Sequence, residues 1–313
     1  MTIAAFALAL LMTTIPHGEQ QLQSGDGVTI WWRSAGSGPP VVVIHGGPGL
    51  DHGSLAADLT TLEKSHTLIY YDQRGGGRSS LPDDPALLTI DHHVRDLEAL
   101  RVRLGLKKLT LVAHSFGPAI AARYAIAHPD RVERMIFLGP IPPRKGTFFE
   151  DYGATLRSRI GDEGEKRADD AYKRMMEGDD VAAACRDYWA VGTPPRLAKG
   201  VEVSVVKSDL CTAPAAAIRF GMKTTGEATW ASLGDWDWRV ELETVKAPVL
   251  VIHGDEDAIP LGQVREWISA LPDARILVLE RTGHFPHAER PAIVFPAIEG
   301  FLKGKWPVDA KTK

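Results

Sequence analysis

The sequence predicts an α/β fold with a mostly parallel central sheet, helices on both faces and an inserted helical cap. Two observations carry this prediction. Short runs that are apolar throughout, such as VVVI at 41–44, alternate with helical patterns, and such strands lie in parallel sheets that are covered on both faces. The stretch 141–245 breaks this alternation, and about a hundred residues between two strands is too long for a loop.

Each element is justified by its local pattern. The predicted strands are rich in β-branched and large apolar residues, and they lie at 28–33, 41–44, 67–71, 109–113, 135–138, 249–253 and 276–279. The predicted helices repeat apolar residues at helical spacing, and they lie at 92–104, 116–127, 261–271 and 291–302. Charged residues dominate 157–180, as is typical of an exposed helix. We therefore expect a core at 21–140 and 246–313 and a cap at 141–245.

Composition excludes several classes of protein. The 313 residues carry a net charge of -4, so the sequence predicts no basic surface for nucleic acid. Hydrophobic residues make up 44% and charged residues 24%, as in ordinary globular proteins. No apolar run reaches the roughly 20 residues of a membrane-spanning helix, so we expect no integral membrane span. The oligomeric state is not indicated by any pattern.

The N-terminal segment 1–20 leaves two interpretations open. Residues 3–12 read IAAFALALLM, which resembles the apolar part of a secretory signal. No Lys or Arg precedes this run and no A-x-A site follows it before Pro16, so a packed or disordered segment is the alternative. We slightly favour the cytoplasm over export. Cys185 and Cys211 could pair in an exported protein and are otherwise two buried thiols.

Ser115 is the predicted nucleophile. The pentapeptide at 113–117, AHSFG, lies between a predicted strand and a predicted helix, which is the setting of a nucleophile elbow. The helix N-terminus there favours negative charge. The alternative is that Ser115 only caps the helix, since serine is a preferred N-cap residue.

A serine nucleophile needs a general base and a carboxylate that orients it. His284 follows the predicted strand 276–279, and Asp257 follows the strand 249–253. The order Ser, Asp, His along the chain is that of α/β-hydrolases. Asp255 and His287 are the weaker alternatives for the acid and the base.

Acyl transfer also needs two N–H groups directed at the developing oxyanion. Phe116, the residue after the nucleophile, would supply one, and Gly47 in the HGGPG run at 45–49 would supply the other. A plain glycine-rich turn is the alternative for this run.

Five motifs together resemble the proline iminopeptidase group of α/β-hydrolases, a family of serine peptidases. They are HGGPG at 45–49, YYDQRGGGRS at 70–79, the elbow at 113–117, the aspartate loop at 254–260 and GHFPHAERP at 283–291. This resemblance implies an aminopeptidase that releases N-terminal residues, proline preferred, from small peptides without a metal or other cofactor. The alternative substrate is a small ester, cleaved by a carboxylesterase or lactonase, and a non-catalytic relative that binds a ligand is the third interpretation.

The cap must then hold the substrate. An aminopeptidase needs carboxylates for the substrate ammonium group, and we expect these among Glu150, Glu202 and Glu227. Trp230 would supply an aromatic wall for a proline ring, unless it and the nearby tryptophans 236 and 238 form the core of the cap. A small ester instead predicts a cavity without carboxylates.

Overall fold

The computed structural model describes residues 15–313, and its centre is an eight-stranded sheet. In chain order the strands are β1 Gly18–Gln23, β2 Thr29–Gly36, β3 Pro40–Ile44, β4 Thr67–Tyr71, β5 Leu109–His114, β6 Val132–Leu138, β7 Val249–Gly254 and β8 Ala274–Leu279. Their order across the sheet is β1-β2-β4-β3-β5-β6-β7-β8. β2 pairs antiparallel with β1 and β4, and all other pairs are parallel. The predicted mostly parallel sheet is confirmed.

Helices cover both faces of this sheet. The described helices are α1 Gly53–Ala56, α2 Ile90–Arg103, α3 Gly117–Ala127, α4 Phe148–Glu177, α5 Val181–Gly192, α6 Ala215–Phe220, α7 Gly226–Leu233, α8 Leu261–Val264, α9 Glu266–Ala270, α10 Pro286–Glu289 and α11 Pro291–Leu302. Successive strand residues point to opposite faces: Leu111 and Ala113 pack with α2 and α3, whereas Val112 packs with α1 and α11. This alternation explains why β5 carries apolar residues on both faces.

The segment 141–245 contains helices α4 to α7 and lies in the chain between β6 and β7. It has a hydrophobic cluster of its own, which includes Met175 and Ile218. A disulfide joins Cys185 on α5 to Cys211 in the following loop, so the pairing alternative is the one observed. Trp236 and Trp238, near the C-terminal end of this segment, pack with the main core and not with the segment's own cluster.

Besides small shifts at the ends of predicted strands and helices, two predictions differ from the structure. Residues 18–20, assigned above to a signal or disordered segment, belong to β1, an edge strand in which only Leu22 is buried. Its sequence, GEQQLQ, lacks the apolar alternation that identifies a strand. The helix predicted at 261–271 is divided into α8 and α9 at Arg265. The apolar run 3–12 lies outside the described residues. Over residues 15–313, no helix is both long and apolar enough to span a bilayer.

Candidate active site

Ser115 occupies a strained turn between β5 and α3. Its φ of 59° lies in the left-handed region, which residues with a Cβ rarely adopt. Two backbone hydrogen bonds fix it there, from the Ser115 N–H to Leu138 O and from the Ile141 N–H to Ser115 O, each 3.0 Å. The turn needs glycine at 117, because a Cβ there would lie 2.5 Å from Ile44 O. The sharp turn lifts the Ser115 hydroxyl above the carboxyl edge of the sheet.

The structure brings Ser115, His284 and Asp257 into one hydrogen-bonded chain. His284 Nε2 lies 2.9 Å from Ser115 Oγ, and His284 Nδ1 lies 2.9 Å from Asp257 Oδ2. Asp257 Oδ1 accepts a further hydrogen bond of 2.9 Å from the Ile259 N–H. A carboxylate on Nδ1 fixes the tautomer in which Nε2 is free to accept the serine proton.

Burial and nearby charge set the protonation of this site. Burial would raise the pKa of Asp257, but the charges of His284 and His253 and the hydrogen bonds from His284 and Ile259 lower it overall. Asp257 is therefore ionised at neutral pH. Burial holds the pKa of His114 well below its usual value and lowers that of His287 to about 4. Both of these histidines are therefore neutral at pH 7.

The alternative acid and base lie elsewhere. Asp255 is exposed, and its carboxylate accepts a 3.4 Å hydrogen bond from the Thr282 N–H. His287 is buried beside His114, with ring centroids 5.2 Å apart. Within residues 15–313, neither ring nitrogen of His287 has a hydrogen-bond partner.

Glu289, which the sequence analysis missed, holds the loop that carries His284. Its buried carboxylate accepts hydrogen bonds from the N–H groups of Gly283 at 2.9 Å and Phe285 at 3.1 Å. It also accepts one of 3.0 Å from the Ala198 N–H. The His284 N–H itself donates to Arg196 O at 2.7 Å. The only sequence signal for Glu289 is its place in the GHFPHAERP run.

The N–H groups of Phe116 and Gly47 are both available beside Ser115. Phe116 directly precedes α3, and Gly47, with φ of 113°, lines the cavity at Ser115. In the described part of the chain, neither N–H has a hydrogen-bond acceptor. The loop must be glycine-rich here, since a Cβ at Gly46 would lie 2.9 Å from Ser115 Cβ.

A cavity of about 210 Å³ opens onto Ser115 and His284. This volume is below the roughly 300–1,000 Å³ of typical ligand pockets. Segment 141–245 supplies much of its wall through seven residues, Ile141, Phe148, Tyr152, Trp189, Arg196, Leu210 and Trp230. The predicted contact of Trp230 with the site is thus present in the structure, whereas Trp236 and Trp238 are core residues.

The three glutamates expected at the substrate are placed elsewhere. Glu150, Glu202 and Glu227 are all exposed, and none of them lines the cavity. The reason is clear for Glu150, which lies in the first turn of α4. Residues four apart share one face of a helix, so Phe148 and Tyr152 face the cavity while Glu150 faces solvent.

Comparison with known proteins identifies the family. Residues 39–291 match the family model described as the alpha/beta hydrolase fold. The chain belongs to the α/β hydrolase fold family. It is 36% identical to a probable proline iminopeptidase of Streptomyces coelicolor, over 92% of this chain and 96% of that protein. It is also 28% identical to a proline iminopeptidase of Heyndrickxia coagulans, over 85% of this chain and 91% of the relative.

Solved structures share the fold. A proline iminopeptidase from Mycobacterium smegmatis superposes with a TM-score of 0.66 at 22% identity, covering 92% of this chain and 98% of that one. By its family and its sequence relatives, the chain is a hydrolase that is similar to proline iminopeptidases. Other similar proteins carry the names non-heme haloperoxidase and esterase, so similarity alone does not define the bond that is cleaved.

Proposed function

We propose that this chain is a serine hydrolase in which Ser115, His284 and Asp257 form the catalytic triad. The observation that carries the proposal is the hydrogen-bonded chain from Ser115 Oγ through His284 to Asp257, with both links at 2.9 Å. His284 Nε2 takes the hydroxyl proton as Ser115 Oγ bonds to the substrate carbonyl carbon, and it then protonates the leaving group. A water molecule, deprotonated by His284, then attacks the carbonyl carbon of the acyl-enzyme and releases the acid and free Ser115.

Phe116 and Gly47 are proposed to stabilise the charge that develops on the carbonyl oxygen. Their N–H groups have no acceptor in the described residues. Phe116 directly follows Ser115 in the chain, and Gly47 lines the cavity at Ser115. A preorganised donor of this kind is worth about 10²–10³ in kcat. The segment 141–245 is proposed to act as a cap over a core of 21–140 and 246–313.

The first candidate substrate is a peptide with a free N-terminal residue, proline preferred. Support comes from the relatives named proline iminopeptidase, one of them 36% identical over nearly the whole chain. Small aromatic-walled cavities suit a compact ring, and Trp230 and Phe148 provide such a wall here.

A second candidate, a small ester or lactone, is favoured by a specific observation. Among the described residues that line the cavity, none is an aspartate or a glutamate. The ammonium group of an aminopeptidase substrate would therefore meet no carboxylate on this wall. An uncharged ester has no ammonium group and needs no such partner.

The test is a parallel assay of two substrate classes. Purified protein is offered the p-nitroanilides of proline, alanine and leucine, and p-nitrophenyl acetate and butyrate. Ser115→Ala serves as the control and is expected to lower kcat by about 10⁶-fold on whichever class is cleaved. Cleavage of the anilides supports the aminopeptidase, and cleavage of the esters alone supports the second candidate. Activity that survives in Ser115→Ala contradicts the triad.

A further inference from the structure

Arg196 is the one permanently charged side chain among the described residues that line the cavity at Ser115. The histidines of the wall include His114, whose pKa is held well below its usual value by burial. The remaining cap side chains of the wall are aromatic or aliphatic, apart from the phenol of Tyr152. The cavity therefore presents a single cation to whatever occupies it.

The guanidinium of Arg196 is held in place by neutral groups. Nε donates to Tyr152 Oη at 2.9 Å, and Nη1 donates to Gly192 O. Its carbon lies 5.8 Å from the ring centroid of Tyr152 and 5.5 Å from that of Trp189, within reach of cation–π attraction. These contacts orient the group without neutralising its charge.

Part of this guanidinium remains without a partner. Across residues 15–313, Arg196 has no carboxylate within 4 Å, and Nη2 donates no hydrogen bond. The fully buried Arg74, in contrast, is paired with Asp96 at 2.5 Å and with Asp26 at 2.7 Å. A half-buried, unpaired guanidinium is a ready site for an anion, and its planar fork matches a carboxylate.

The position of Arg196 ties this charge to the reacting atoms. Its carbonyl oxygen accepts the His284 N–H at 2.7 Å, and its side chain shares the cavity wall with Ser115 and His284. Because the cavity holds only about 210 Å³, a group bound at Arg196 belongs to the same small molecule that Ser115 attacks.

We propose that Arg196 binds a carboxylate of the substrate, so that this enzyme hydrolyses small acyl compounds that carry a free carboxylate. The inference rests on the proposed function, and it specifies the substrate class. The carboxylate has two sources. It belongs either to the acyl part, as in a half-ester of a dicarboxylic acid, or to the leaving group, as at the C-terminus of a dipeptide.

Two matched substrate pairs distinguish these sources. The first is the mono-p-nitrophenyl ester of glutaric acid against the same ester of glutaramic acid, and the second is prolyl-glycine against prolyl-glycinamide. Each pair differs only in carboxylate against amide. We expect kcat/KM to be at least about tenfold higher for the carboxylate member of one pair, which corresponds to about 1.4 kcal/mol. The pair that shows this preference identifies the source.

Variants assign the preference to Arg196. Arg196→Gln should reduce it to within about twofold, and Arg196→Lys should keep part of it because the charge remains. Arg159→Gln is the matched control: Arg159 also lies in the cap and donates to Pro195 O and Glu256 O at 2.9 Å, but it does not line this cavity. It should leave the preference unchanged. Equal rates within both pairs, or a preference that persists in Arg196→Gln, would overturn the proposal.

A binding measurement separates this inference from the triad. Calorimetry on the Ser115→Ala protein compares glutarate with glutaramide, and prolyl-glycine with prolyl-glycinamide. Binding of a carboxylate member that Arg196→Gln abolishes supports the Arg196 site even if no substrate is turned over and the triad proposal fails. Ser115-dependent hydrolysis with no carboxylate preference and no carboxylate binding refutes the Arg196 site and leaves the triad intact.

Discussion

Replacing Glu289 with glutamine is predicted to loosen the loop that carries His284. The carboxylate accepts three backbone N–H groups: two at Oε2, from Gly283 and Ala198, and one at Oε1, from Phe285. A glutamine can keep its oxygen at the Oε2 position and retain two of these bonds. Its NH2 group then faces the Phe285 N–H, which loses its acceptor.

The expected loss of stability follows from the number of N–H groups that lose their acceptor. One buried donor without an acceptor costs about 1–3 kcal/mol, a large fraction of a total stability of about 5–15 kcal/mol. Glu289→Ala leaves all three donors unpaired and should cost about 3 kcal/mol or more. Because His284 sits between Gly283 and Phe285, a shift of about 1 Å in this loop should also lower kcat by up to about 10²-fold.

Urea unfolding and ester hydrolysis measure the two effects on the same protein. For Glu289→Gln, the urea concentration at the unfolding midpoint should fall while the dependence of the unfolding free energy on urea stays the same. That combination indicates a change of stability alone. Glu280→Gln is the matched control, because Glu280 is exposed at the end of the preceding strand, and surface changes stay within about 0.5 kcal/mol. If Glu289→Gln unfolds like the wild type and retains its kcat, the bracing role of this carboxylate is refuted.

Three further predictions concern the acid and the disulfide. Asp257→Asn should lower kcat by about 10⁴-fold, because the amide favours the His284 tautomer that cannot accept the serine proton. Asp255→Asn should leave kcat nearly unchanged. Similar losses in both variants would contradict the assignment of Asp257 as the acid. The pKa of Asp257 is lowered in the folded state. The stability that its carboxylate contributes is therefore complete above the unfolded pKa near 3.8 and is lost as the pH falls through the lower folded pKa. Below about pH 4, the free energy of unfolding should therefore change with pH more steeply in the wild type than in Asp257→Asn. Replacing Cys185 and Cys211 by serine removes a disulfide between residues 26 apart in sequence and should lower the free energy of unfolding by about 3.5 kcal/mol. The Tm should then fall below that of the wild type under non-reducing conditions. An unchanged Tm would mean that the disulfide does not stabilise the fold.

The sequence predicted the sheet and the positions at its carboxyl edge because those features depend on local pattern. Strands β3, β5 and β7 are largely apolar and end at polar or glycine-rich turns. Parallel strands bring such ends together, so the sequence pattern predicts that Ser115, Asp257 and His284 are neighbours. The edge strand β1 escaped this reasoning because its exposed side chains carry no apolar period.

The part of the cavity wall that comes from the segment 141–245 could not be predicted in this way. Whether Glu150 or Phe148 faces the cavity depends on how α4 is rotated against the core, and the sequence of a charged helix does not specify that rotation. Arg196 lies in the short 3-10 turn Pro194–Arg196 and has no pattern of its own. Its contact with Ser115's cavity arises from tertiary packing, so the charge that the substrate meets was not evident from the sequence.

The loop of His284 and the cap segment that ends at Ala198 are joined at two points. The His284 N–H donates to Arg196 O at 2.7 Å, and the Glu289 carboxylate binds the N–H groups of both Ala198 and Gly283. The residue that would hold the substrate carboxylate is therefore attached to the residue that would act as base. A movement of the cap that displaces Arg196 must either break a buried hydrogen bond or move His284 with it. The positions of Arg196 and His284 are for this reason coupled. Changes in this cap segment should therefore alter KM and kcat together.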